Sequence, residues 1–361
     1  MKPTRTLQDL GQSLWLDNIT RALLTSGTLQ RYIDGLSVTG LTSNPTIFDH
    51  AIKNSSDYDE DIARKARSTK SRESLFFDLA LGDLARAAEL FRSTYQRTDR
   101  VDGWVSLEVS PLLAHDTART VAAARDLHSR GGVPNLFVKI PGTKEGLPAI
   151  EAAIFAGIPI NVTLLFSREQ YLAAADAFLR GVERRIEAGL NPAIASVASV
   201  FISRWDVAVS GRTPSELSNR LGIAVAQRIY EGYREFLASR RFLRAANAGA
   251  RAQRLLWAST GTKDPKASDT LYVDALAAPF TVNTMPEGTL KAVGDHGKPA
   301  GVLAAGAGDS GRVLASFAKA GIDVDALASQ LQDEGAASFV KSWNELMSCI
   351  EVKSTTIRKA N

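Results

Sequence analysis

The chain has a single cysteine, Cys349, in 361 residues. That count excludes an internal disulfide and any metal site built on cysteine, and it is compatible with a reducing compartment. Cys349 lies in an apolar stretch near the C-terminus and reads as a packed core residue. No apolar run approaches the roughly 20 residues that a spanning helix needs. The N-terminal Met1-Lys2-Pro3-Thr4-Arg5 runs into polar sequence without the hydrophobic core of a secretory signal. A cytoplasmic protein with no membrane partner is expected. No Pro/Ser-rich linker, composition break or internal repeat divides the chain, so one domain over 1–361 is expected. The formal net charge is only +4. Basic clusters such as Arg240-Arg241, Arg244, Arg251 and Arg254 lack interleaved aromatics and a nucleic-acid motif. They read as a solvated helix face, with no nucleic-acid partner, and the mild positive bias suits anionic metabolites.

Hydrophobic residues at 45% and charged residues at 23% are those of a globular protein with a sizeable core. The most informative residue is Lys139, a lone amine inside Asn135-Leu136-Phe137-Val138-Lys139-Ile140-Pro141-Gly142-Thr143. The run is short and rich in β-branched and aromatic residues, so it reads as a strand buried on both faces. A buried ammonium without a partner tends to become a neutral amine, and a neutral amine attacks carbonyls to form a Schiff base. A lysine that snorkels to water or pairs with a carboxylate fits the run equally well.

Seven more short apolar runs resemble this one. Strands are expected at 13–17, 35–41, 103–109, 136–140, 158–163, 196–201, 254–259 and 279–283, and amphipathic helices at 71–95, 116–129, 146–155, 168–188 and 214–237. Eight strands separated by helical crossovers predict an α/β fold, a closed (β/α)8 TIM barrel with extra C-terminal helices. Those helices occupy about 289–352, followed by a charged, frayed tail over 353–361. One rival motif stands outside this pattern. Gly306-Ala307-Gly308-Asp309-Ser310-Gly311 satisfies a dinucleotide fingerprint, with Asp325 at a distance that suits a ribose contact. Such a fold needs further βα units downstream, and only helical sequence follows, so a loop before a helix is the better account.

In a parallel barrel, catalytic groups emerge at the C-terminal strand ends. Isolated polar residues stand there: Asp17, Asn44, Glu108, Asn161 and Thr163, Ser199 and Arg204, and Ser259. Singly, Asp17 could be a helix cap, Asn44 a turn before Pro45, and Thr163 or Ser199 a backbone partner. Glu108, between Leu107 and Val109, needs a buried partner. Together, acid, amide, hydroxyl and lysine groups at one end of a barrel describe a pocket for a polyhydroxylated carbonyl compound.

Several segments resemble the transaldolase family along nearly the whole chain. They include Gly40-Leu41-Thr42-Ser43-Asn44-Pro45, Val105-Ser106-Leu107-Glu108-Val109, Lys139-Ile140-Pro141-Gly142-Thr143, Asn161-Val162-Thr163-Leu164-Leu165-Phe166, Trp257-Ala258-Ser259-Thr260-Gly261-Thr262-Lys263 and Phe339-Val340-Lys341-Ser342-Trp343. The resemblance implies a metal-free, cofactor-free class I aldolase-type barrel of the pentose phosphate pathway. It would move a dihydroxyacetone unit from sedoheptulose 7-phosphate to glyceraldehyde 3-phosphate. It also implies roles: Lys139 as Schiff-base lysine, Asp17 as acid/base at the C4 hydroxyl, and Glu108 acting through a water held by Thr163. Asn44, Asn161 and Ser199 would orient the dihydroxyacetone hydroxyls, and Arg204 and Ser259 would bind phosphate. A second arginine carried by some members is Gly261 here, and Lys263 is the candidate to supply its charge. Sugar phosphates and a homodimer are the implied partners. Two alternatives are a related aldolase that releases free dihydroxyacetone and a catalytically silent sugar-phosphate-binding barrel. The first is disfavoured by Glu108 and the chain length, the second by the presence of Lys139, Asp17 and Glu108.

Overall fold

The short apolar runs form strands because β-branched and aromatic side chains fit a pleated surface packed on both faces. A computed structural model describes residues 2–65, 71–299 and 301–360. Its strands are β1 (Gln12–Asp17), β2 (Val38–Thr42), β3 (Val105–Glu108), β4 (Leu136–Pro141), β5 (Ile160–Leu165), β6 (Ser196–Phe201), β7 (Gln253–Ala258) and β8 (Thr281–Met285). All pair in parallel in chain order, and β8 closes onto β1. Parallel neighbours require crossovers, and each crossover here carries helix. The helices that matter below are α1 (Pro45–Lys53), α2 (Arg72–Leu90), α3 (Thr117–Gly131), α4 (Leu221–Ala238), α5 (Ser310–Lys319) and α6 (Val324–Ala360). The fold is the (β/α)8 barrel with C-terminal helices that the sequence predicts.

Differences from the sequence reading sit at element ends. Gly35 and Leu36 finish the helix Thr28–Leu36, and Ser37 at φ 57° turns the chain into β2. The helix expected over 71–95 breaks at Phe91. That over 214–237 is divided by Asn219 at φ 59°, with α4 beginning at Leu221. The stretch 302–305 is not a strand, and Val302 is half exposed, so the glycine motif lacks the strand a dinucleotide site requires. Cys349 is partly exposed rather than enclosed. Helix α6 continues past Lys353, where fraying was expected. The Lys353 ammonium donates to Ser55 O and Asp59 Oδ1, both at 2.6 Å, which fastens that turn.

Alternation along each strand sends every second side chain inward. Trp15 of β1 meets Phe137 of β4, with ring centroids 6.1 Å apart, so Ser13, Trp15 and Asp17 share the interior face. Gly40 of β2 makes room for that indole: a Cβ there would stand 2.7 Å from the Trp15 ring and from Trp104 O. At the N-terminal end the interior is closed by a polar plug. Arg254 donates to Ser13 Oγ (2.6 Å), Thr281 O (2.8 Å) and Val101 O (3.1 Å). Ser13 donates in turn to Asp102, which also accepts from Trp15 Nε1 (2.7 Å) and Gly103 N (3.0 Å). Above this plug the barrel opens at its C-terminal end.

Candidate active site

Parallel register builds the site. Glu108 of β3 lies opposite Lys139 of β4, Lys139 opposite Asn161 of β5, and Pro141 opposite Thr163. Asp17 of β1 lies opposite Thr42 of β2. The inward members of strands β1 to β5 therefore converge at one end of the barrel, around a cavity of about 260 Å³. Of the ten residues expected at the site, Lys139, Asp17, Thr163, Asn44, Ser199, Arg204, Ser259 and Lys263 line it. Glu108 and Asn161 stand one layer behind. A larger apolar groove between α1 and α6, about 890 Å³, contains none of these groups.

Lys139 is 5% exposed, and it is not alone. Its ammonium is 3.4 Å from Glu108 Oε2, donates to Ser43 O at 3.2 Å, and faces the Phe339 ring at 5.9 Å. Of the two readings of that lysine, pairing with a carboxylate is thus met, inside a cavity rather than at the surface. Glu108 is enclosed, and neither of its oxygens has a well-formed hydrogen bond within the protein; the same is true of Thr163 Oγ1. Burial pushes the Glu108 carboxyl above the usual carboxylate range; the charge of Lys139 opposes that shift and the charge of Asp17 adds to it.

Asp17 does not cap a helix; Thr20 caps the one that follows β1. Its carboxylate accepts from Thr42 Oγ1 at 2.7 Å, and Thr42 is within 2.7 Å of Thr284 Oγ1. Burial raises the Asp17 pKa, partly offset by Lys139, by the Thr42 hydrogen bond and by Lys263. Asn44, expected as a turn residue, is instead a helix cap at the edge of the cavity. It caps α1, accepting from Ile47 N at 3.0 Å with Pro45 at the first helical position, and it lines the cavity. Asn161 accepts from Ser199 Oγ (2.7 Å) and donates to Ser106 Oγ (3.2 Å), so it braces the wall from behind.

The far wall is cationic. Arg204, mostly buried, sits 5.3 Å from the Phe201 ring and forms no ion pair within 4 Å among the described residues. Burial lowers its pKa, and Glu334 opposes the shift. Ser259 takes a left-handed φ of 55°, and its hydroxyl is 2.9 Å from Ser203 Oγ. Lys263 and Gly261 both line the cavity here. A guanidinium with no carboxylate partner in a small cavity is suited to an anionic group of a ligand.

Thr42, Thr284, Ser338 and Phe339 also line the cavity and were missed as site residues. Phe339 belongs to α6, which crosses the barrel mouth: Thr46 Oγ1 donates to Ser342 Oγ (2.8 Å), and Gln332 Nε2 donates to Leu164 O (2.8 Å) and Gly142 O (3.2 Å). Leu164 is unusual: at φ 59° it is left-handed, which costs a residue other than glycine on the order of 1–3 kcal/mol. There β5 leaves register with β6, between Val162 and Leu165. Among the described residues, no group of three or more His, Cys, Asp or Glu could hold a metal, and no helix is long and apolar enough to cross a membrane.

Comparison with known proteins gives the family. A model of the transaldolase/fructose-6-phosphate aldolase family matches residues 14–350. A transaldolase of Saccharopolyspora erythraea is 47% identical over 351 residues, covering 95% of each chain. One from Thermobifida fusca is 46% identical over 96% of each chain, and one from an Arthrobacter species 42% identical over 99% of each. A matched segment that includes all eight strand ends, with relatives aligned from end to end, leaves one conclusion: the chain belongs to the transaldolase family.

Proposed function

We propose that the chain is a transaldolase that moves a dihydroxyacetone unit between sugar phosphates through an imine on Lys139. One observation carries the reading: the Lys139 amine opens into the same small cavity as the Asp17 carboxyl and the unpaired Arg204 guanidinium. Sedoheptulose 7-phosphate and glyceraldehyde 3-phosphate are the substrates, giving erythrose 4-phosphate and fructose 6-phosphate, as in the pentose phosphate pathway. A cytoplasmic location and a homodimer accompany this reading, to be tested by fractionation and light scattering.

Glu108, 3.4 Å away and made more basic by burial, takes the ammonium proton and frees the amine. The amine attacks the ketose C2 carbonyl; a C–N bond forms and the carbonyl oxygen leaves as water, leaving an iminium. Glu108 and Thr163, whose buried oxygens have no well-formed hydrogen bond among the described residues, handle the water of imine formation and hydrolysis. The iminium accepts the electron pair of the C3–C4 bond as that bond breaks. Asp17 takes the C4 hydroxyl proton, and its raised pKa suits a base that must later return the proton. An aldehyde shorter by three carbons departs, and the enamine left on Lys139 adds to the acceptor aldehyde by the reverse steps. Arg204, Ser259 and Lys263 hold the phosphate; Asn44 and Ser199 orient the hydroxyls.

Borohydride reduction in the presence of fructose 6-phosphate, followed by peptide mapping, tests the proposal. A reduced adduct on Lys139 is expected, and added erythrose 4-phosphate should discharge the unreduced intermediate. Release of free dihydroxyacetone without an acceptor would point to the aldolase alternative. The absence of an adduct would leave a barrel that only binds sugar phosphates.

A further inference from the structure

The strained turn in β5 lies directly after Thr163, and a side chain from the far end of the chain holds it. One amide, Gln332 of α6, donates from Nε2 to Leu164 O (2.8 Å) and Gly142 O (3.2 Å). Leu164 is the left-handed residue of the β5 irregularity. Gly142 follows β4 three residues after Lys139, and its N–H donates to Thr163 O at 2.7 Å. The backbone on both sides of Thr163 is thereby tied to the strand that carries Lys139, and Gln332 closes the tie from outside the barrel. Thr163 Oγ1 is buried and has no partner of its own among the described residues. Its direction is therefore set by its backbone and not by a side-chain hydrogen bond.

We propose that Gln332 is a positioning residue for imine formation and hydrolysis, holding the Thr163 hydroxyl toward Lys139 by clamping the strained Leu164 carbonyl. The inference deepens the imine reading and rests on it. Without the clamp, two buried carbonyls lose their donor, and Leu164 is free to relax toward an ordinary β conformation. A relaxed Leu164 rotates the Thr163 hydroxyl out of the cavity into which the Lys139 amine opens. Asp17 stands on β1, which Gln332 does not touch, so carbon–carbon cleavage from an imine already formed should be spared.

The two steps separate in a quench experiment. Enzyme is mixed with fructose 6-phosphate and quenched with borohydride at successive times, and the Lys139 peptide is weighed by mass spectrometry. A six-carbon phosphorylated adduct reports the imine, and its conversion to a three-carbon adduct reports cleavage. In Gln332→Met, of equal length and apolar, the six-carbon adduct should appear about 10–10²-fold more slowly, up to the loss that a misplacement of ~1 Å brings. Its conversion to the three-carbon adduct should stay within about twofold. Equal slowing of both steps, or of neither, overturns the role of Gln332. Gln332→Ala serves as a second variant, and thermal melts identify any variant that has not folded. Wild-type enzyme run alongside separates the two ideas: if it forms no adduct on Lys139, the imine reading itself has failed.

Discussion

The two ends of this barrel use buried polar residues in opposite ways. At the N-terminal end, Asp102 accepts from Ser13, Trp15 and Gly103, and Arg254 donates to one hydroxyl and two carbonyls. Those contacts hold strands β1, β7 and β8 together, although Arg254 Nε and the neighbouring Gln12 Oε1 and Gln253 Oε1 are buried without a partner among the described residues. At the C-terminal end, Glu108 has only the Lys139 ammonium 3.4 Å away, Thr163 Oγ1 has no partner among the described residues, and Arg204 forms no ion pair within 4 Å among them. Unsatisfied buried groups are costly at either end, but at the C-terminal end one of them, Thr163, lines a cavity together with Lys139, Asp17 and Arg204. In a parallel barrel, the same residue types therefore act as glue at one end and as reagents at the other.

Substitutions at the two ends should consequently change different observables. The largest effect is expected for Lys139→Ala. Turnover should fall by more than the ~10²–10⁴-fold that a single acid or base supplies, because the covalent path disappears. Steady-state assay with fructose 6-phosphate and erythrose 4-phosphate reads it, and substantial remaining turnover would refute the imine. Asp17→Asn follows, with kcat lowered by about 10²–10⁴-fold, since only the proton at C4 is affected. Arg204→Ala should leave kcat within a few-fold and raise KM for phosphorylated substrates by about 10–100-fold, the worth of a charge-assisted hydrogen bond of roughly 1.5–3 kcal/mol. An unchanged KM would locate the phosphate elsewhere. At the other end, Arg254→Met should lower stability by about 2–3 kcal/mol, because Ser13, Thr281 O and Val101 O lose their donor. Turnover per folded molecule should not change. A melt compared with a kcat measurement would expose any mixing of the two roles.

How far the site could be read from sequence follows from the same contrast. Charged residues inside apolar runs are visible because they break the pattern, and Lys139, Glu108 and Asp17 all do so. Hydroxyls do not break it: Thr42 and Thr284 are ordinary strand residues, and only the pairing of β2 and β8 on either side of β1 brings them to Asp17. Phe339 and Gln332 were hidden for another reason. A helix of 37 residues repeats the same polar and apolar alternation throughout, and nothing local tells which turn lies over the barrel mouth. The left-handed turn was equally silent, since Leu164 carries no backbone signal of the kind that glycine gives. Conversely, the Gly306–Gly311 motif matched a dinucleotide pattern but lacks the strand that would give it meaning, as its helical surroundings led one to expect.

The smallest expected effect sharpens the comparison most, because it has the opposite sign from intuition. Asp17→Asn removes a catalytic carboxylate and should make the protein more stable. Burial raises the folded-state pKa of Asp17 above its ordinary value, and Lys139, Thr42 and Lys263 recover only part of that shift. Below the ordinary aspartate range the carboxyl is protonated in both folded and unfolded chains, and ionisation costs nothing. As pH rises past that range, the unfolded chain ionises first, and unfolding is favoured progressively until the folded carboxyl also loses its proton. Above the raised folded value the penalty stays constant. Wild-type stability relative to Asp17→Asn should therefore fall across that window and then level off, by on the order of 1 kcal/mol at neutral pH. Urea titrations of both proteins from pH 3.5 to pH 8 would show the gap opening. A gap that closed with rising pH, or a variant less stable throughout, would mean that the fold favours the ionised form of Asp17. The C-terminal end would then be as well satisfied as the N-terminal plug, and the division between glue and reagent would not hold.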